Sequence, residues 1–167
     1  TKLIPNNVLS MNSTHGNFKK IIDDIFCLIK YNNFTNGTIW FSKSAIGHRN
    51  GLKLRIYGNN ASAEWEQINP EVIKFFKNNG ELNILDRENI NSKTKVKNNY
   101  RFKAGHPSGF LEAFANHYKD IYQELKYYKK YKKNSKNFEF GIEQAEKSLK
   151  FFEAVQISHK LKKWVKI

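Results

Sequence analysis

The sequence predicts an α+β fold: an antiparallel, mostly open sheet followed by two long helices packed on one face of it. Two observations carry that expectation. Short β-rich segments punctuated by turn dipeptides fill the chain as far as residue 87, and helical periodicity becomes sustained only after His106-Pro107, so strands and helices are segregated rather than alternating. A length of 167 residues suits one domain, 1–167, large enough to bury a core.

Taken in order, Thr1 to Lys20 holds Pro5, Asn6-Asn7 and His15-Gly16 with little periodicity, and an extended or loop-like entry is expected there. Ile21 to Tyr31 (IIDDIFCLIKY) and Gly37 to Ala45 (GTIWFSKSA) are β-rich and joined through Asn36-Gly37, which predicts an antiparallel hairpin. Asp23 and Asp24 would point to opposite faces of such a strand, which argues against a paired-carboxylate acid/base site. In LKLRIYG, Leu52, Leu54 and Ile56 alternate with Lys53, Arg55 and Tyr57, predicting a strand buried on one face. Gly58-Asn59-Asn60 turns into ASAEWEQ, where Glu64 and Glu66 share a face and can meet Lys53 or Arg55 across the pair. EVIKFFK and ELNILDR follow as two shorter strands around Asn78-Asn79-Gly80, and Asn89 to Asn99 reads as a polar surface loop.

The stretch RFKAGHPSGFLEAFANHYKDIYQEL, Arg101 to Leu125, combines a turn with a helix. Gly105 and Gly109 flank His106-Pro107, and Phe110, Phe114, Ile121 and Leu125 then recur at helical spacing. A histidine held in a tight turn at a helix entrance could be a substrate ligand; the alternative is that the turn only positions the helix. The helix ends in KYYKKYKKNSKN, where lysines suit the negative pole of the helix dipole and tyrosines cover apolar surface; a stacking and charge patch for an anionic partner is the competing reading. A last helix is expected from Glu139 to Lys163 with Ile142, Ala145, Leu149, Phe152 and Val155 or Gln156 on its stripe, before a short extended Trp164-Val165-Lys166-Ile167.

Composition narrows the function classes. Aromatic residues at 14% and apolar residues at 40% argue against disorder. The net charge of +14 first suggests a polyanion partner. Yet only Arg49, Arg55, Arg87 and Arg101 among the 29 basic residues are arginines, whereas base reading and bidentate phosphate contacts favour Arg, so the charge is not read as nucleic-acid binding. Cys27 is the only cysteine and lies in an apolar run; no intrachain disulfide can form, which fits a reducing, cytoplasmic compartment. No apolar run approaches membrane-spanning length, and no membrane role is expected. The sequence holds no G-x-G-x-x-G, P-loop, H-E-x-x-H or G-x-S-x-G, and its five histidines lack metal-ligand spacing, so neither a catalytic residue nor a metal site is assigned.

Three blocks, NGTIWFSKSAIGHRNGLKLRIYGNNASAEWEQINPE, AGHPSGFLEAFANHYKDIYQEL and GIEQAEKSLKFFEAVQISHKLKKWVKI, resemble in order the C-terminal domain of the glucose-fructose oxidoreductase, inositol dehydrogenase and MocA (Gfo/Idh/MocA) family. The resemblance implies a substrate-binding and oligomerisation domain of an NAD(P)-dependent sugar or polyol oxidoreductase. In such enzymes an N-terminal Rossmann domain holds NAD or NADP. Its dinucleotide fingerprint, the Glu-Lys-Pro lysine and the Asp-x-x-x-His element are not in this sequence, so the expectation is the C-terminal half of such an enzyme, without a cofactor of its own and inactive alone. By the same resemblance His106 matches the histidine of a Gly-His-Pro turn facing the substrate cleft, and Arg49-Asn50 matches a basic turn beside it; the expected partners are a sugar or polyol and a second copy of the chain through the open sheet face. The alternative is a non-catalytic basic protein binding an anionic glycan or nucleic acid.

Overall fold

A computed structural model describes residues 3–91, 101–135 and 141–167. The chain divides into two compact units, Thr1–Gly47 with Glu139–Ile167, and His48–Phe138.

The first unit is built on β1 (Pro5–Ser13), β2 (Asp24–Tyr31), β3 (Asn36–Ser42), α3 (Ile142–Leu161) and β8 (Val165–Lys166), with the strands in the order β3-β2-β1-β8. All its strand pairs are antiparallel, and the expected β2–β3 hairpin forms with Cys27 opposite Ile39. Residues 5–13, inside the stretch expected as an extended or loop-like entry, form an inner strand of this sheet. Its Asn- and Ser-rich sequence has poor strand propensity, but tertiary partners override it. Ser10 N donates to Ser158 Oγ (3.0 Å), Ser10 Oγ to the Val155 carbonyl (2.6 Å) and Asn12 N to His159 Nδ1 (3.1 Å). Beyond Val8, where β8 stops pairing with β1, side chains of α3 take the backbone donors that another strand would have taken.

Val8, Cys27, Ile29, Ala154 and Val155 form the apolar core of this unit, flanked by Ile25, Ile39, Phe151 and Val165. The buried residues of α3 are therefore Ala154, Val155 and Ser158, with Phe151 half-buried beside them; of the expected stripe Val155 is buried, while Ile142, Leu149 and Phe152 are exposed. Size explains the choice, because Ala154 and Ser158 let the helix approach the sheet closely where larger residues would hold it off. Asp23 and Asp24 have structural partners: Asp23 accepts from His15 N (2.9 Å) and Gly16 N (2.7 Å), and Asp24 from Trp40 Nε1 (2.9 Å). The extended C-terminal tail is β8, which joins β1 at Asn7 and Val8.

The second unit carries β4 (Lys53–Tyr57), β5 (Ala61–Glu66), β6 (Val72–Lys77) and β7 (Leu82–Asp86) as a consecutive antiparallel meander, followed by α1 (Arg87–Asn91) and α2 (Phe110–Tyr131). The sequence places one antiparallel sheet before the helices; the strands form two sheets of four, and the α+β class holds. Glu64 pairs with Arg55 (2.8 Å) and Lys74 (3.5 Å), and Glu66 with Lys53 (2.6 Å), as the shared face of these strands requires. β4 is not buried on one face: Leu54 and Ile56 are exposed. Among the described residues no helix covers them, so alternation marks a face that can be buried without supplying what buries it. On α2, Phe110, Phe114 and Leu125 are likewise exposed and Ile121 is half-buried, and no residue of that helix is buried. Of the polar stretch at 89–99, Asn89 to Asn91 belong to α1 and residues 92–99 lie outside the described residues, as do Lys136-Asn137 of the Lys/Tyr run and the expected helix start at Glu139.

Candidate functional site

The sheet of the second unit builds its site at one end. Antiparallel register sets Val72 opposite Asp86, so the residues just beyond that pair, Glu71 and Arg87, become neighbours. Above them the 101–109 segment turns back on itself. Gly105 adopts φ +89°, a left-handed conformation that a Cβ would strain, and His106 N donates to the Lys103 carbonyl (3.2 Å). A cavity of about 220 Å³ results, lined among others by Glu71, Asp86, Arg87, Gly105 and His106.

Arg87 is the buried member of this group, with 5% of its surface exposed. Its Nε lies 2.6 Å from Glu71 Oε2, and its terminal nitrogens donate to the carbonyls of Phe102 (3.5 Å), Lys103 (3.4 Å) and His106. The other oxygen of Glu71 accepts from both Ser108 N and Ser108 Oγ at 2.9 Å. Asp86 caps α1 through the N–H groups of Glu88 (2.9 Å) and Asn89 (3.0 Å). At the start of α2, Glu112 reaches back to accept from Gly109 N (2.9 Å), and that bond holds its carboxyl below the usual carboxylate range.

His106 is exposed at the cavity wall, while Arg49 and Asn50 are exposed in the segment before β4 and do not line it. Since β4 and β6 both start, and β7 ends, at the same end of the meander, Arg49-Asn50 and His106 share that end but are set apart across its width. Arg87, Glu71 and Ser108 escaped the sequence reading. A signal was present: in a lysine-rich chain, Arg55 and Arg87 mark places where a planar fork meets fixed acceptors.

A larger hollow of about 500 Å³ surrounds the β2–β3 turn, but Lys30 is the one charged side chain lining it, and its ammonium stands 4.6 Å from the Trp164 ring centre. The smaller cavity brings together four ionisable groups of both signs and is the stronger site. At the end of α2, Tyr127 and Tyr131 pack on each other with ring centres 4.6 Å apart, and Lys130 lies over Tyr131 at 4.9 Å. Among the described residues no group of three His, Cys, Asp or Glu side chains could hold a metal ion, and no helix is long and apolar enough to cross a membrane. Both sheets pair antiparallel throughout, so the described residues do not form the parallel strand-helix crossover that cradles a dinucleotide.

Two open antiparallel sheets with long helices, one sheet carrying a polar cavity at its end, define an α+β domain. The chain belongs to the oxidoreductase family of Gfo, Idh and MocA, as its C-terminal alpha/beta domain, the family model matching residues 5–167. An oxidoreductase from Sinorhizobium meliloti is 23% identical, with a TM-score of 0.86 over 98% of this chain and 47% of its own. One from Pseudomonas syringae is 22% identical, with a TM-score of 0.89 over 99% of this chain and 46% of its own. An inositol dehydrogenase homolog from Azotobacter vinelandii, solved with NADH and myo-inositol, is 20% identical, with a TM-score of 0.79 over 99% of this chain and 45% of its own. The chain thus spans about half the length of these structures, and the likeness is one of fold. No curated protein sequence matches it.

Proposed function

We propose that the chain is the substrate-binding and oligomerisation domain of an NAD(P)-dependent sugar or polyol oxidoreductase. The dinucleotide is held by a Rossmann domain outside these 167 residues, and this chain alone transfers no hydride. The observation that carries the reading is the His106 cavity at the sheet end of a domain whose relative was solved with NADH and myo-inositol. An imidazole both donates to and accepts from hydroxyl groups, so His106 fits a polyhydroxylated ligand at the cavity, while Arg49 and Asn50, at the same sheet end but outside the cavity, would meet a ligand that extends across that end. Exposed Leu54 and Ile56, beside half-buried Ala63, Trp65 and Phe75 on the same sheet face, support association with a second copy. The buried thiol of Cys27 is compatible with a cytoplasmic setting.

Titration with myo-inositol followed by NMR tests the binding role. Saturable shifts confined to residues 103–110 and 48–51, lost in His106→Ala, are expected; shifts that ignore His106 overturn the assignment. NAD and NADP should bind the chain without saturation, and tight binding of either would overturn the placement of the cofactor.

A further inference from the structure

We propose that Arg87 is the positioning residue of the His106 turn, fixing where the imidazole stands through the backbone carbonyls it gathers. The inference rests on the substrate-binding reading above and adds to it the device that sets the ligand-facing group. Arg87 and Glu71 secure the chain on both sides of the His106-Pro107 peptide. Before it, one guanidinium gathers the carbonyls of Phe102, Lys103 and His106. After it, Glu71 takes the backbone and hydroxyl donors of Ser108. The two halves are joined by the Arg87–Glu71 ion pair at 2.6 Å.

None of the bonds in this clamp uses the His106 imidazole, so the ring remains available while its backbone is held. The left-handed Gly105 is what turns the Lys103 and His106 carbonyls toward one guanidinium. Lysine could keep the charge opposite Glu71, but a single ammonium cannot span three separated carbonyls as a planar five-donor fork does. The clamp also reaches the sheet directly, since Glu71 and Arg87 adjoin the Val72–Asp86 pair of β6 and β7. The imidazole is thereby referenced to the rigid meander rather than to the exposed segment that carries it.

Arg87→Lys in the full chain tests this, read by amide hydrogen exchange, the His106 ring resonances and a myo-inositol titration. Amides of β6 and β7 should keep their protection, those of residues 104–109 should exchange about tenfold faster, and the His106 ring signal should broaden or split as the turn samples several positions. The affinity for myo-inositol should fall with it. A folded Arg87→Lys chain with one sharp His106 signal and unchanged exchange overturns the proposal. Should Arg87→Lys not fold, Ser108→Ala removes one anchor, leaves the ion pair intact and is expected to loosen the same residues to a smaller degree; an unchanged turn there also counts against the clamp. If wild type ignores myo-inositol while Arg87→Lys still loosens the turn, the substrate reading fails and the clamp stands.

Discussion

The two units solve the same packing problem in opposite ways. Each carries a four-stranded antiparallel sheet and one long helix. In the first, α3 lies on β1, and Val8, Cys27, Ile29, Ala154 and Val155 are dry between them. In the second, the one buried residue described is Arg87, held by Glu71 and three backbone carbonyls, while Leu54 and Ile56 and, on α2, Phe110, Leu111, Phe114 and Leu125 are exposed. Burial of methylenes organises the first unit. A paired charge organises the site end of the second, where apolar residues such as Leu54 and Ile56 stay exposed. The first device is non-directional and tolerant of small changes in shape; the second depends on bond geometry, which suits a unit that must hold one turn in place.

Breaking each device at its centre should give the largest effects. Arg87→Ala strands Glu71 without its partner, and a loss of about 3 kcal/mol is expected, seen as lost amide protection in residues 72–86 while 24–42 keep theirs. In the first unit Ile29→Ala opens a cavity, and about 2–5 kcal/mol should be lost in denaturant unfolding. Cys27 offers a direct reading of that unit: burial pushes its thiol up, so modification should be slow in wild type and accelerate in Ile29→Ala. By contrast Ile56→Ala, at an exposed position, should alter monomer stability by less than about 0.5 kcal/mol while weakening self-association measured by sedimentation.

Ser158→Ala sharpens the comparison inside the first unit, because Ser158 Oγ accepts from Ser10 N (3.0 Å) and donates to the Lys163 carbonyl (2.7 Å). Stranding the Ser10 donor should cost about 1–3 kcal/mol, which would show that this core is pinned by polar bonds as well as by methylenes.

The smallest effect concerns the β6–β7 turn of the second unit. Lys77 first, then Asn83 and Asn79, lower the Glu81 carboxyl from 4.5 to about 2. A depressed folded value stabilises the turn above pH 4.5, and that contribution fades as pH falls toward 2. A carboxyl-carbon NMR titration should find this low midpoint, and Lys77→Ala should move it up toward 4.5; a midpoint indifferent to Lys77 would contradict the assigned cause.

Seven of the eight strands among the described residues, and the two long helices, follow from local pattern. Turn dipeptides such as Asn36-Gly37 and Asn78-Asn79-Gly80, and the period-two alternation in LKLRIY, belong to the backbone chemistry of a few neighbouring residues and are legible without a partner. β1 was not legible, because Asn and Ser disguise a strand whose backbone donors are taken by Ser158 and His159, almost 150 residues away. The buried stripe of α3 was hidden for a related reason. Periodicity finds apolar residues, whereas close approach to the sheet selected the small Ala154 and Ser158. At the candidate site, glycines and a proline around His106 marked a turn in the sequence. Its anchors, Glu71 and Arg87, are separated from it by 35 and 19 positions and are joined only by the register of β6 with β7. The sequence by itself determined the strand and helix order, the turn that presents His106 and the family resemblance, since each depends on local chemistry or on residue identity. Tertiary structure alone decided which faces are buried, that the strands form two sheets, and which charged pair holds the His106 turn, because each depends on residues that meet only after long loops close.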